Sequence, residues 1–366
     1  MRVALVVPGG VDRTGEYRVI PALLALIERL ARSHEVHVYA LQQEPEPREW
    51  DLCGACVHNV GSRHPRLSAL RAICQLHRSA PFDIIHAIWS GACGLVAVAA
   101  ARWLAVPSLV HVAGGELTAL PEIAYGGALT WRGRMREALV LRRASLITAA
   151  STPILRQLAS LGLRAQRVPL GVDLAAWPPR EPAPRDARRP ATLVHVASLN
   201  RVKDQTTLLQ GLALLARSGV SFEADIVGED TLDGQMQSLA ARLDLGCRVR
   251  FFGFLPQRQL RPLIERASLL IVSSRHEAGP LVVLEAAVAG VPTVGTAVGH
   301  IAEWAPHAAL AVPVGDPAAL AAGIAELLND ENRRFRIAQE AWRRATRENA
   351  DHTAGVFETM YQGLVG

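Results

Sequence analysis

The stretch SSRHEAGPLVVLEAAVAGVPTV, Ser273 to Val294, decides how the rest of the chain is read. It follows an apolar run, Leu269 to Val272, that reads as a buried strand. A short polar loop, Ser273 to Gly279, leads to Pro280, which suits a first helical position because its missing N–H would have no partner there. Glu277 in the loop and Glu285 inside the helix bracket the turn, with seven residues between them. A helix N-terminus presents free backbone N–H groups and a partial positive charge, a natural seat for a phosphate. The flanking carboxylates can accept hydrogen bonds from hydroxyls. A ligand with both phosphates and hydroxyl-rich rings, such as a nucleotide sugar, meets that description.

Outward from this stretch the chain alternates strand and helix. In the first half Arg2 to Val7 reads as a strand, Pro8 to Tyr17 as a glycine-rich loop, Ile20 to Ser33 as a helix and Glu35 to Leu41 as a strand. That spacing is a βαβ unit and implies a parallel sheet. Gln42 to Pro65 is polar and proline-bearing, and reads as irregular. The second half restarts the pattern at Thr192 to Ala197 and continues through Gln205 to Arg217, Glu223 to Val227 and Arg248 to Phe252. Between the halves, Trp177 to Ala191 is rich in proline and charge, as an interdomain linker should be. The expected division is a first α/β domain over 1–176, a linker over 177–191 and a second domain over 192–348, with a final helix over 349–366 packing back on the first.

Composition narrows the function. Of 366 residues, 50% are hydrophobic and 20% charged, enough to bury two sizeable cores. The net charge of +5 suits an anionic ligand or an anionic membrane surface. Nucleic acid is disfavoured, because no basic stretch is interleaved with aromatics in the manner of a nucleic-acid module. Lys203 is the only lysine in a chain that otherwise writes its positive charge as arginine. An ammonium and a guanidinium are not interchangeable, so this lysine is a candidate functional cation.

Five cysteines, Cys53, Cys56, Cys74, Cys93 and Cys247, make no paired framework and point to a reducing compartment. Cys53 and Cys56 form a CxxC, but no second ligand pair accompanies it, so no metal site is expected. Met1 to Val7 leads straight into a strand without a signal peptide, and the apolar window Gly91 to Val112 is broken by Arg102 and Pro107. The expected location is cytoplasmic, with possible peripheral contact at the inner face of a membrane.

Gly10 to Gly15 has the spacing of a P-loop, but Glu16 and Tyr17 stand where Lys and Ser or Thr are required, so a P-loop ATPase is rejected. No GxGxxG is present. Gly15, nearest the helix start, is a candidate for lining a cleft. In open α/β sheets ligands sit at the carboxyl ends of strands, where His86, Trp89, His111, Gly114 and Glu116 are expected. Thr130 to Arg143 carries Arg132, Arg134, Arg136, Arg142 and Arg143 beside Trp131, Met135, Leu139 and Val140. As a helix it presents a basic amphipathic face, which fits an anionic membrane or an anionic acceptor. A plain solvated basic helix is the alternative.

The segment Glu277-AGPLVVL-Glu285-A, followed by Gly290-Val-Pro292 and Gly299-His-Ile-Ala-Glu303, resembles the retaining nucleotide-sugar glycosyltransferases of family 4, also called group 1. Gly171-Val-Asp173, Val196-ASLNRV-Lys203-Asp, Ile226-Val-Gly228-Glu229 and Val249-RFFGFL-Pro256 agree with further blocks of that family. The match is specific over about residues 168 to 305. It is collinear but looser over the first half, where His86, His111, Gly114 and Gly115 fit.

The resemblance implies the GT-B fold, an α/β architecture in which two Rossmann-like domains face each other across a cleft and close over the donor. It implies that Glu277 binds hydroxyls of the donor sugar and Glu285 the ribose hydroxyls. The backbone at Gly279, Leu281 and Val282 would meet the diphosphate, Pro280 would supply shape, and Gly228, Glu229 and Phe254 would lie along the nucleotide. Lys203 would neutralise the leaving diphosphate, and His111 would line the sugar from the first domain. Family members usually carry an arginine where this chain has Ser198; either Arg201 supplies the second cation or Lys203 works alone.

The implied reaction is metal-independent transfer of a sugar, with retention, from a UDP- or GDP-linked donor to a glycan or lipid-linked acceptor hydroxyl, without a cofactor. A nucleotide-sugar 2-epimerase of the same fold and a catalytically silent nucleotide-binding partner subunit are the rival readings.

Overall fold

The computed structural model describes residues 1–186 and 188–366; Ala187, inside the expected linker, lies outside the described residues. The chain divides into two compact units. The first holds Met1–Asp173 and Glu348–Gly366, the second Leu174–Arg347. The proline-rich stretch expected to link the domains packs on the second unit. Trp177 is buried there, and the Arg180 N–H donates to the Val288 carbonyl at 2.9 Å.

The first unit runs β1 (Arg2–Val7), α1 (Pro21–Ala31), β2 (Glu35–Ala40), β3 (Arg48–Leu52), β4 (Ala55–Asn59), α2 (Pro65–Ser79), β5 (Ile84–Ile88), α3 (Leu95–Leu104), β6 (Ser108–Val112), α4 (Trp131–Arg143), β7 (Leu146–Ala149), α5 (Thr152–Ser160) and β8 (Gln166–Arg167). Its sheet has the order β3-β4-β2-β1-β5-β6-β7-β8, and β3 alone is antiparallel to its neighbour. Val3 lies opposite Val36 of β2 and Ile84 of β5, so the central strand is apolar on both faces, as a sheet covered on both sides requires. The expectation of an irregular segment over Gln42 to Pro65 is corrected: it holds the β3–β4 hairpin at the sheet edge.

The second unit runs β9 (Ala191–Val196), α6 (Gln205–Arg217), β10 (Phe222–Val227), α7 (Gln235–Arg242), β11 (Val249–Phe251), α8 (Gln257–Glu265), β12 (Leu269–Val272), α9 (Leu281–Val288), β13 (Thr293–Thr296), α10 (Gly299–Trp304), β14 (Leu310–Val312), α11 (Pro317–Asn329) and α12 (Glu331–Arg347). Its sheet is wholly parallel, in the order β11-β10-β9-β12-β13-β14. Leu193 of β9 pairs with Ala224 on one side and Leu269 on the other, inside a core that also takes Leu208, Leu212 and Ile324. The strand order reverses between β9 and β12. In open α/β sheets ligands sit at the carboxyl edge beside such a switch point.

The chain then returns to the first unit as α13 (Ala350–Val365). Asn349 caps this helix by accepting from the His352 N–H at 3.0 Å. The Phe357 and Tyr361 side chains of α13 are fully buried. Near the helix start, buried Arg29 of α1 holds Asp351 at 2.6 Å and Asp173 at 2.8 Å.

Candidate functional site

The loops after β9 and β12 are stitched together. Ser273 Oγ donates to the Lys203 carbonyl at 2.8 Å, and the Arg275 N–H donates to the Val202 carbonyl at 2.7 Å. Arg275 Nε also meets Asp204 Oδ2 at 3.1 Å. Asp204, in a left-handed conformation, caps α6 by accepting from the Thr207 N–H and hydroxyl at 3.3 and 2.9 Å. A cap of this kind contributes about 1 kcal/mol and fixes where the preceding loop leaves the helix. Lys203 is therefore held at its backbone, not only by its tip.

Its Nζ donates to Glu277 Oε1 at 2.6 Å, and Ser274 Oγ donates to the same oxygen at 2.6 Å. The two side chains are 26% and 13% exposed, so the pair is reachable from solvent yet sheltered. Behind it His195 is fully enclosed. Its Nδ1 meets the Ile271 carbonyl at 2.9 Å, so Nδ1 carries the proton and Nε2 accepts from Gln205 Nε2 at 3.2 Å. Burial holds this imidazole down to about 4, and the Lys203 charge pushes the same way. A neutral histidine floor leaves Lys203 as the positive charge facing Glu277.

Helix α9 begins at Leu281, and Pro280 is its extended N-cap rather than its first helical residue. The difference is one position, and the N–H groups of Leu281 and Val282 still open the helix. Gly299 presses against this start: a Cβ there would lie 2.8 Å from Pro280 Cδ and 3.1 Å from the Glu277 carbonyl.

Glu285, one turn inside α9, is buried, and burial pushes its carboxyl up to about 7. Gln257 Nε2 donates to its Oε1 at 2.8 Å, and Gln257 Oε1 accepts from Trp177 Nε1 at 2.9 Å. A carboxyl poised to titrate near neutrality, with one oxygen fixed by a side-chain amide, is suited to receiving ligand hydroxyls on the other. Gly228, at φ +152, lets β10 end against the loop after β9, since a Cβ would lie 1.9 Å from the Ala197 carbonyl oxygen. Ser198, Arg201, Glu229 and Phe254 are exposed on the loops of this carboxyl edge, and Gly279 is partly exposed.

The expected placement of His86 and His111 at a ligand-facing edge of the first sheet is corrected. Both are fully enclosed within β5 and β6, beneath α13. Their ring centroids lie 4.7 and 5.7 Å from that of Phe357. His86 Nδ1 meets the Tyr361 hydroxyl at 2.6 Å and His111 Nδ1 the Thr148 hydroxyl at 2.9 Å. Burial holds His111 down to about 3 and His86 well below its ordinary value. A ring without exposed surface lines no sugar.

Glu116 is also buried. It accepts from the Ser90 N–H at 3.1 Å and the Gly114 N–H at 2.7 Å, so it knits the loops after β5 and β6 instead of facing a ligand. Gly115 lies against the Tyr125 ring, and Gly15, at φ +69, makes a turn whose N–H donates to the Asp12 carbonyl at 3.0 Å.

Sequence reasoning also missed the supporting residues. Ser274 sits three positions before Glu277, a local signal that was available. Gln257, Trp177 and His195 carry no signal of their own, because each acts on a partner distant in sequence.

On α4 the expected helix is present, with Trp131, Met135 and Leu139 exposed in a stripe at four-residue spacing. Arg132, Arg134, Arg142 and Arg143 are exposed, and Arg136 is partly so. The Arg132 guanidinium lies 5.4 Å from the Trp131 ring centre. Leu67 of α2 and Trp103 of α3 are exposed as well. Arg66, Leu95, Arg132, Arg136 and Leu139 line one depression of about 440 Å³. No helix among the described residues is long and apolar enough to cross a membrane.

Comparison with known proteins follows the same division. A family model described as "Glycosyl transferases group 1" matches residues 181–344, and one described as "Glycosyl transferase 4-like domain" matches residues 19–171. Glycogen synthase of Mycobacterium tuberculosis is 32% identical over 178 residues, which cover 48% of this chain and 42% of that protein. The chain thus spans less than half the length of that relative. The 2-deoxystreptamine glucosyltransferase of Streptomyces kanamyceticus is 27% identical over 371 residues, covering 93% of this chain and 92% of that one. Among solved structures, sucrose-phosphate synthase from Thermosynechococcus elongatus superposes with a TM-score of 0.82 at 18% identity, covering 100% of this chain and 99% of that one. Anabaena HepE in complex with UDP-glucose gives a TM-score of 0.75 at 20% identity, covering 99% and 100%. These two likenesses show the fold, GT-B.

Proposed function

The chain belongs to the group 1 glycosyltransferases, and on that premise we propose that it moves a sugar from a nucleoside diphosphate donor to an acceptor hydroxyl with retention at the anomeric carbon. The observation that carries the reading is the Lys203–Glu277 pair at the open edge of the second sheet, beside the N-terminus of α9. The C1–O bond to the diphosphate breaks and an acceptor oxygen bonds to C1 on the same face. The acceptor proton passes to the departing phosphate oxygen. Negative charge grows on the diphosphate as it leaves, and a fixed ammonium with the helix N–H groups opposes it most strongly in the transition state.

In this reading Glu277 hands Lys203 to the diphosphate and turns to the sugar hydroxyls, while Glu285 takes the ribose. Ser198 brings no charge, so Lys203 is the principal cation, with exposed Arg201 free to add to it. No divalent ion is required by this assignment. UDP is the first nucleotide to test, because HepE, a structural likeness, is known with UDP-glucose.

The stripe on α4 supports a second part of the proposal: the first unit rests on an anionic membrane surface. Trp131, Met135 and Leu139 would enter the interface while the surrounding arginines meet lipid phosphates.

Because Lys203 is the only lysine, reductive methylation with labelled formaldehyde reports on it directly. UDP or GDP should protect this one side-chain amine, and a UDP- or GDP-sugar with an acceptor should release free nucleoside diphosphate. Unprotected Lys203 at saturating nucleotide rejects the diphosphate assignment. Epimerised donor without transfer, or binding without turnover, assigns the chain to the rival readings.

A further inference from the structure

The edge of the first sheet gathers a set of metal-ligating atoms that the proposed reaction does not use. In β2 and β4, which run parallel, His37 pairs with Cys56 and Tyr39 with His58. Side chains alternate faces along a strand, so His37, Cys56 and His58 project from the same face. One ligand atom from each of these three lies within 4.8 Å of the others. All three residues are partly buried or at the buried limit, so the cluster is sheltered from bulk solvent.

The orientation of the rings is fixed by their neighbours. His58 Nδ1 meets Glu49 Oε1 at 2.6 Å, so that nitrogen carries the proton and Nε2 turns a lone pair inward. The His58 ring stacks on Tyr39 at 4.8 Å and 17°. His37 Nε2 meets Glu35 Oε1 at 3.0 Å, and its ring is held edge-on by Phe82 at 5.5 Å. A carboxylate behind each imidazole is the arrangement that orients metal-binding histidines and raises their basicity.

With both carboxylates engaged, His37 Nδ1 and His58 Nε2 face each other across 2.9 Å with two lone pairs. Something positive belongs between them. A proton satisfies it when His37 is doubly protonated, donating from Nε2 to Glu35 and from Nδ1 to His58 Nε2. A metal ion satisfies it while keeping both carboxylate bonds, and it also uses the Cys56 sulfur. Tetrahedral zinc, with Zn–N of about 2.0–2.1 Å and Zn–S of about 2.3 Å, needs the nitrogens about 3.3 Å apart and the sulfur about 3.6 Å from each, so the rings open by a few tenths of an ångström and the Cys56 side chain closes by up to about 1 Å.

We propose that His37, Cys56 and His58 form a binding site for a zinc-like divalent cation, built across the β2–β4 pairing and backed by Glu35 and Glu49. Two imidazoles and a thiolate are the donor set that zinc and cobalt(II) take in four-coordinate geometry, with water in the fourth position. Cys53, the other half of the CxxC, is not part of it. The ion clips the edge hairpin, whose β3 strand carries Glu49, to the body of the sheet.

The test is cobalt(II) titration of untagged, reduced protein. Wild type is expected to take one equivalent with intense tetrahedral bands and a thiolate-to-cobalt charge-transfer band, both removed by zinc. Cys56→Ser should abolish the charge-transfer band, His58→Ala should weaken binding at least tenfold, and Cys53→Ala and Cys247→Ala should change neither. An octahedral spectrum without charge transfer in wild type overturns the site, as does a band that survives Cys56→Ser. If the variants fail to fold, alkylation of the wild type decides. Zinc should slow modification of Cys56 at least tenfold and leave exposed Cys247 unaffected, and equal rates at Cys56 with and without zinc overturn the proposal.

Discussion

Lys203 Nζ lies 2.6 Å from Glu277 Oε1 although 74 residues separate the two in the chain. The pair bridges the loops after β9 and β12, and in the proposed reaction Lys203 opposes the charge that grows on the leaving diphosphate. Removing the cation should therefore act on the chemical step. Lys203→Ala should lower kcat about 10²- to 10³-fold, on the order of 3–4 kcal/mol. Steady-state transfer assays with UDP titrated by calorimetry check this. Unchanged turnover with normal donor binding would reject Lys203 as the group that opposes leaving-group charge.

Glu277→Gln frees Lys203 from its partner while keeping the shape of the loop. UDP affinity should hold or rise, and kcat with the intact donor should fall, because the lost carboxylate served the sugar. Calorimetry with UDP alone against UDP-sugar separates the two effects. A fall in UDP affinity would mean that Glu277 serves the nucleotide.

Glu285 gives a pH signature. Its folded value, raised to about 7 by burial, stands above the ordinary carboxyl value of 4.5. The folded state therefore holds a proton that the unfolded state has released between those values. The contribution to stability is full below about 4.5, declines as pH rises to about 7 and is gone above it. His195, lowered to about 4, acts in the opposite sense over the range from about 4 to 6.5. Comparing wild type with Glu285→Gln cancels the histidine. The variant should gain relative stability from pH 5 to pH 8, by at most about 3 kcal/mol, in urea unfolding curves. A flat difference would show that Glu285 titrates normally.

The α4 stripe predicts binding to vesicles containing anionic lipid and little binding to neutral ones. Replacing Trp131, Met135 and Leu139 together by Ala should reduce co-sedimentation at least tenfold. Replacing Arg132, Arg134 and Arg136 by Ser should make the remainder less sensitive to salt. Equal sedimentation of wild type with neutral and anionic vesicles would remove the electrostatic part of the proposal.

Gly228→Ala should unfold the second unit or lower its stability by about 3 kcal/mol or more, since the added methyl would collide with the Ala197 carbonyl at a φ of +152. Thermal unfolding with and without UDP reads it. A variant of native stability would show that the two loops move apart freely.

The alternation of strand and helix was legible because parallel strands covered on both faces read as unbroken apolar runs, Leu269 to Val272 among them. The β3–β4 hairpin was not. Pro45, Pro47, Arg48, Glu49 and Asp51 resemble loop composition, and an edge strand with one solvent face tolerates it. Lys203 was conspicuous as the only lysine and Glu277 by its place before a helix. Their mutual bond was hidden because it depends on β9 lying beside β12, a result of topology. His86 and His111 misled for a similar reason: their surroundings are set by Phe357 and by Tyr361, which lies 275 residues beyond His86. The His37–Cys56–His58 cluster was invisible because no local spacing joins β2 to β4.

Arg29 holds Asp173 and Asp351, the residues flanking the two places where the backbone leaves and re-enters the first unit. The Ala350 N–H donates to the Val172 carbonyl at 3.0 Å, so the two crossings run side by side. Residues 174–347 are in consequence a cassette, grafted into a host whose own ends stay joined across the graft. Excising them and bridging Asp173 to Glu348 with a few glycines would remove no strand of the first sheet.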